Sequence, residues 1–359
     1  LPLFILSGGA GTGKTSVCKY IVDSLPGILL ASPTGKAAQR MTELTGKTAS
    51  TIHRLAYKVE PEESHTLLID ESSMLEPEIL AKLLRKQSFN KIIFVGDLGQ
   101  LESISPGNFY FDISNSEIPQ KELVKIYRND SLIATNGKNI RERDGSLDTD
   151  HKSFEIIPYT NDGAIIKMAE TIFKSTGELP TVLCNTNAEI CELNQKLRQI
   201  HNPCPTSRSD PCVMDYANGV WRYDAFRFGT GDKVINIVNK YGEDHNENIF
   251  LECANGEIGT VMHAKGTKIV VQFPTNLVEF DIQEEKTLRP AYALTVHKSQ
   301  GSEYTTVIVK CKFTFGDNQK RLYTAITRAQ QKCIVFEVGN DIARCIRATS
   351  SMRLTKLMQ

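Results

Sequence analysis

Gly8-Gly9-Ala10-Gly11-Thr12-Gly13-Lys14-Thr15 fits the pattern G-x-x-x-x-G-K-[ST], set between an apolar run and a helical one. Glycines let such a loop curl until its N–H groups face phosphate oxygens, and the following helix adds a favourable dipole. Lys14 offers a point charge to the β- and γ-phosphates, and Thr15 a hydroxyl to Mg2+. ATP with Mg2+ is therefore the expected ligand. A loop of this kind needs a carboxylate on a neighbouring strand. Leu67-Leu68-Ile69-Asp70-Glu71 ends an apolar strand in two acids, Asp70 to hold the metal and Glu71 to polarise an attacking water. A third strand end, Gly96-Asp97-Leu98-Gly99-Gln100, places a neutral amide nearby. Gln100 can bond a γ-phosphate or the attacking water without adding charge.

These groups need a parallel sheet to bring them to one edge. LPLFILS, ILLAS, HTLLID and KIIFVGD read as strands, alternating with the helical TSVCKYIVDSL, GKAAQRMTELT and PEILAKLLRKQ. A second α/β series opens near residue 150 with the strand TVLCNT and the helix AEICELNQKLRQIHN. Residues 203–290 change texture: DKVINIVN, EIGTVMHA, TKIVVQF and LVEFDI, parted by turn signals such as Asn255-Gly256, suggest a small antiparallel barrel. The α/β texture returns with AYALTVHKS, TTVIVKC, RLYTAITRA and KCIVFEV. The expected plan is two α/β lobes, the second interrupted by a β insertion.

At 359 residues and 40% hydrophobic, the chain has material for more than one core. Its apolar runs are far shorter than the roughly 18 residues of a membrane span. It begins at Leu1 without a basic n-region, the pattern of a trimmed fragment lacking a signal peptide. Nine cysteines form no CxxC pair and lie at no zinc-ligand spacing, so a reducing intracellular compartment, cytoplasm or nucleus, is expected. Forty-two basic residues balance 42 acidic ones, which taken alone argues against a nucleic-acid partner. The balance is uneven along the chain: residues 1–58 carry +5, residues 310–359 carry +7, and the middle carries −12. A basic face on an otherwise acidic body is expected.

Along nearly the whole chain, these segments resemble the motifs of the superfamily 1 (1B) helicases, in the order of the RecD-like, Dda-like branch. Gly8–Thr15 is similar to motif I, Ala31–Ala38 to motif Ia, Ser50–Leu55 to motif Ib and Ile69–Met74 to motif II. Gly96–Leu101 with Pro106-Gly107 resembles motif III, and Leu123–Arg128 the motif that carries a first arginine finger. Thr295–Glu303 resembles motif V, and Leu322–Ala329 motif VI. Eight such segments in one order are a specific signal.

The resemblance implies two RecA-like parallel-sheet lobes: 1A at 1–145, and 2A at 146–202 with 291–359. It also implies an SH3-like β insertion, 2B, at 203–290. Arg128 and Arg328 are implied fingers across the cleft, and Gly301 and Glu303 implied nucleotide contacts, Glu303 at the ribose or else ordering the motif V loop. Pro33, Thr34, Lys36, Thr51 and His53 on the first lobe, and Asn185, Thr186, Thr295 and His297 on the second, are candidate contacts to single-stranded DNA. Two departures stand out. Family members carry an adenine-contacting segment upstream of motif I, where only seven residues precede Gly8. The strand-splitting pin between motifs Ib and II is replaced by a short hairpin near 56–66. The expected activity is ATP-driven movement on single-stranded DNA, 5′-to-3′ like this branch. Expected partners are that strand or a tailed duplex, along with replication or repair proteins, for a monomer without membrane contact. Alternatives are a nucleic-acid-stimulated P-loop ATPase acting on RNA or remodelling without processive unwinding, and a catalytically idle binding subunit.

Overall fold

The structure is a computed structural model. It describes residues 2–58, 65–103, 105–127, 132–202, 212–215, 220–223, 228–243, 249–265, 267–274, 276–281, 283–314 and 319–348. The chain opens with β1 (Leu3–Gly8), α1 (Lys14–Ser24), β2 (Ile28–Ser32), α2 (Gly35–Thr45), β3 (Ala49–Thr51) and α3 (Ile52–Tyr57). It continues with β4 (Thr66–Ile69), α4 (Pro77–Lys86), β5 (Lys91–Gly96), α5 (Phe109–Ser114), β6 (Gln120–Leu123) and α6 (Leu132–Arg141). The six strands pair in parallel in the order β3-β2-β4-β5-β1-β6. Helices cover both faces, which is why β2 and β4 read as unbroken apolar runs. Ile5, Ala31, Ile69 and Phe94 pack on one face, and their neighbours Leu6, Leu30, Leu68 and Val95 on the other. The register pairs Ser7 with Gly96 and Ile69 with Phe94. The phosphate loop, Asp70 and Asp97 therefore leave the sheet at one edge, the carboxyl ends of its strands.

Next come β7 (Phe154–Pro158), α7 (Asp162–Thr176), β8 (Thr181–Cys184) and α8 (Asn187–His201). An antiparallel stretch follows: β9 (Cys212–Asp215), β10 (Val220–Tyr223), β11 (Lys233–Asn236), β12 (Lys240–Glu243), β13 (Ile249–Cys253), β14 (Ile258–Lys265), β15 (Lys268–Gln272), β16 (Leu277–Asp281) and β17 (Leu288–Pro290). The chain then returns through β18 (Ala293–Thr295), β19 (Tyr304–Cys311), α9 (Gln319–Ile326), β20 (Ala329–Glu337) and α10 (Asp341–Arg347). The second parallel sheet has the order β18-β8-β19-β20-β7, so its strands come from both sides of the antiparallel stretch. These are two RecA-like lobes.

Within the antiparallel stretch that interrupts the second lobe, β16-β15-β14-β11-β17 form one antiparallel sheet, with β9–β10 and β12–β13 as separate pairs. The Asn255-Gly256 signal is a turn between β13 and β14, with Gly256 at φ 90°. Two sequence expectations meet the structure differently. Helix α6, read as part of residues 1–145, sends Ile133 and Ile140 into the second lobe's core beside Phe154, Tyr323 and Val335. The short hairpin near 56–66 falls largely on residues 59–64, outside the described set; Ala56 and Tyr57 end α3 and Thr66 opens β4. No helix among the described residues is long and apolar enough to cross a membrane.

Candidate active site

The phosphate loop is shaped by its glycines. Gly11 and Gly13 sit at φ 77° and 83°, where an L side chain is strained, and a Cβ on Gly8 would fall 2.6 Å from Thr12 Oγ1. Thr12 Oγ1 donates to the Gly9 carbonyl at 2.8 Å and braces the arch. Lys14 Nζ donates to the carbonyls of Gly8 and Gly9 at 2.8 and 3.0 Å. Thr15 lies half-buried in the first turn of α1, which opens without a side-chain cap. No side chain of the helix's own thus competes for the N–H groups facing the loop.

Asp70 Oδ1 accepts the Glu71 N–H at 2.8 Å. Burial, then the adjacent Glu71 carboxylate, pushes the Asp70 carboxyl up to about 6, against the opposing pull of that amide, Lys14 and Arg40. Glu71 itself has φ 54°, left-handed for a non-glycine residue. Such a conformation costs about 1–3 kcal/mol and is held by its surroundings, as at many functional sites. One hydroxyl, Thr15, and one carboxylate, Asp70, make a donor set suited to Mg2+, which keeps waters and phosphate oxygens as its other ligands. A carboxyl driven upward by burial beside a second acid is one a cation would relieve. Among the described residues, no group of three or more His, Cys, Asp or Glu side chains is placed to hold a metal ion.

The segment after β5 joins the two lobes. Asp97 is fully buried and its Oδ1 accepts the Gly99 N–H at 2.8 Å. Its Oδ2 accepts the hydroxyl of Tyr323, from α9, at 2.6 Å. The same hydroxyl accepts the N–H of Ala10 in the phosphate loop at 2.8 Å. Leu101 N–H donates to Thr324 Oγ1 at 3.0 Å, and Gln300 Nε2 donates to the Leu101 carbonyl at 2.8 Å. Gln100 lies between these contacts, 4% exposed, with Oε1 unpartnered.

Arg328 is buried on the second lobe, where Nε and Nη1 donate to the carbonyls of Thr324 and Ser302 at 3.1 and 3.2 Å. Arg128 lies outside the described residues. Glu303 meets first-lobe Arg40 at 2.7 Å and accepts from Gln330 Nε2 at 3.1 Å, so the structure gives it an interlobe ion pair. Gly301, at φ 68°, faces Thr34: a Cβ there would fall 2.5 Å from Thr34 Oγ1. Lys36 is half-buried with Nζ 4.6 Å from the Tyr304 ring centroid. Burial lowers its ammonium to about 8, with Arg328, Lys233 and Arg40 pressing the same way and Glu303 opposing.

The candidate strand contacts share one local geometry. Thr34 Oγ1 caps α2 by accepting from Ala37 N–H, and Thr51 Oγ1 caps α3 by accepting from Arg54 N–H. Thr186 and Glu189 form a capping box on α8. Thr295 Oγ1 accepts from Lys298 N–H at 3.4 Å over the turn at His297–Ser299. Each hydroxyl sits at or just past the carboxyl end of β2, β3, β8 or β18, two adjacent strands at the rim of each sheet. Pro33 and His53 are half-buried beside this row, burial holding the His53 imidazole below its ordinary value. Asn185 Nδ2 donates to the Lys312 carbonyl at 2.6 Å, and His297 opens its short turn.

Sequence reasoning missed two aromatic groups. Tyr127 is 68% exposed, its N–H donates to the Gly11 carbonyl at 2.9 Å, and its ring edge would lie 3.7 Å from a Cβ on Gly13. An exposed ring fastened to a phosphate loop can stack a base. Tyr323 is the other; Tyr127 and Tyr323 lie in the same segments as Arg128 and Arg328. A cavity of about 340 Å3 opens between Gly9 and Ala10 on one side and Arg141 and Thr327 on the other.

Residues 2–169 match a family model described as an AAA domain, and residues 290–336 one described as a UvrD-like helicase C-terminal domain. The chain is 30% identical over 370 residues to the ATP-dependent RecD2 DNA helicase of Deinococcus radiodurans, covering 96% of this chain and 48% of that protein. These similarities support a superfamily 1 helicase of the RecD/Dda type. A second relative, the ATP-dependent DNA helicase dda of Enterobacteria phage T4, is 28% identical over 231 residues, 54% of this chain and 51% of that one. The chain thus spans about half the length of these two relatives. Its fold matches the Pif1 helicase from Bacteroides in complex with ADP-AlF3 and ssDNA, with a TM-score of 0.59 at 19% identity over 95% of this chain and 90% of that one. The Pif1 helicase from Candida albicans matches at 0.56 and 17% identity, over 95% of this chain and 92% of that one.

Proposed function

We propose that the chain is an ATP-driven DNA helicase that moves along single-stranded DNA, 5′-to-3′, by hydrolysing ATP between its two lobes. One observation carries this reading. The phosphate loop of the first lobe is bonded directly to α9 of the second, while candidate strand contacts line the matching rim of both sheets. A cleft that opens and closes on nucleotide therefore changes the spacing of two grips. In hydrolysis Lys14 exchanges the Gly8 and Gly9 carbonyls for phosphate oxygens, and Tyr127 stacks the base. Thr15 and Asp70 would hold Mg2+, which supplies charge neutralisation on the phosphates. Glu71 takes a proton from water as its oxygen bonds the γ-phosphorus, and the bridging oxygen leaves with ADP. Gln100 aligns that water, and Arg128 and Arg328 neutralise charge developing on the transferred group, worth about 10³–10⁵ in rate for such fingers.

Thr34, Lys36, Thr51, His53 and Pro33 form one grip, and Asn185, Thr186, Thr295 and His297 the other. Their hydroxyls, helix-terminal N–H groups and few cations suit phosphates of any sequence. Glu303 and Gly301 act at the interlobe contact, and the antiparallel stretch at 203–290 is read as the SH3-like module of the family. Strand displacement on 5′- and 3′-tailed DNA and RNA duplexes tests the proposal. Displacement of 5′-tailed DNA alone is expected. Preference for 3′ tails would refute the polarity, preference for RNA the substrate, and ATPase without displacement the unwinding.

A further inference from the structure

Tyr323 is 2% exposed in the second lobe's core, and its ring edge and hydroxyl reach Gly9, Ala10, Asp97 and Gly99 of the first. A Cβ on Gly99 would fall 3.1 Å from the ring, one on Gly137 3.6 Å from it, and one on Gly9 3.4 Å from the hydroxyl. Three glycines thus leave the slot that the phenol fills. At the bottom of the slot the hydroxyl donates to Asp97 Oδ2 at 2.6 Å and accepts the Ala10 N–H at 2.8 Å. Asp97 in turn holds the Gly99 N–H, and its carbonyl accepts the Gln100 N–H at 3.1 Å. Burial, then the Asp97 charge, keeps the phenol protonated, as a donor to that carboxylate must be. One oxygen atom therefore ties α9 to the phosphate loop and to the turn that carries Gln100.

We propose that Tyr323 is a positioning residue for ATP hydrolysis: its hydroxyl, acting through Asp97 and Ala10, makes second-lobe movement set the phosphate loop and Gln100. The inference rests on the reading of this cleft as the site of ATP hydrolysis. Tyr323→Phe keeps the ring in its slot and removes only the link, so packing alone would not register the change. Steady-state ATP hydrolysis by the full chain, with and without oligo(dT), is compared for wild type, Tyr323→Phe, Asp97→Asn and the double variant. Tyr323→Phe is expected to lower kcat on the order of tenfold with KM for ATP changed less than about threefold. The double variant is expected to be no slower than the slower single variant, because both substitutions cut one chain of bonds. A Tyr323→Phe kcat within about twofold of wild type, or losses that multiply in the double variant, would overturn the link. A wild-type chain without ATPase would sink the underlying reading, whereas active wild type and equally active Tyr323→Phe would sink the link alone.

Discussion

Asp232 fastens the antiparallel stretch to the second lobe, and its removal has a calculable cost. The carboxylate is fully buried at the entrance to β11. Oδ1 accepts from Arg198 Nε at 2.9 Å, Asn202 Nδ2 at 3.0 Å and the Tyr292 hydroxyl at 3.1 Å. Oδ2 accepts from Gly229 N–H at 2.8 Å and from Arg198 Nη2. Asp232→Ala strands the guanidinium of Arg198, itself 6% exposed, among groups that cannot neutralise it. Breaking one side of a buried pair costs about 3–5 kcal/mol. At about 2–4 °C per kcal/mol for a unit of this size, the unfolding midpoint of the second lobe should fall by about 6–20 °C. Calorimetry of the variant checks the value. Asp232→Leu with Arg198→Met should recover part of the loss, because no charge is then left buried alone. A shift worth less than about 1 kcal/mol, or a double variant worse than the sum of the singles, would refute the reasoning.

Lys14→Ala and Glu71→Gln should each reduce ATP turnover by about 10²–10⁴, read in a phosphate-release assay, and retention of more than a tenth of the rate would contradict their roles. Gln100→Met is close in volume and removes a buried oxygen that has no partner. It should leave the unfolding midpoint within about 1 kcal/mol while lowering kcat about tenfold; a destabilised but fully active variant would show a structural amide instead. Burial and neighbouring cations lower Lys36 to about 8, so it loses its charge as pH rises through that value. Affinity for oligo(dT) should weaken several-fold from pH 7 to 9, and Lys36→Ala should flatten that limb; an unchanged slope in the variant would remove Lys36 from the grip.

The phosphate loop, Asp70, Glu71 and Gln100 were legible because each sits at the end of one apolar run, where strand, loop and helix are contiguous. The rim hydroxyls were legible for the same reason, since a threonine after a strand is also where a helix is capped. What the sequence hid depends on how the lobes dock. Tyr323 and Asp97 meet across 226 residues, and Leu101 and Thr324 across 223, and no local pattern encodes either pairing. Helix α6 follows the last strand of the first sheet in sequence, yet its apolar face is completed by α9. Glu303 illustrates the limit of a motif: it is expected to bind the nucleotide or to order its loop, and no local pattern announces its ion pair with Arg40.

The chain's charge balance of zero gave no sign of a nucleic-acid partner, and the central claim is that a single strand drives this cleft. The most direct test is the ATPase rate of the full chain measured with and without saturating oligo(dT) in the presence of Mg2+. The account predicts a rate raised on the order of tenfold or more by the strand and lost in Lys14→Ala. An equal rate with and without any polynucleotide would contradict it.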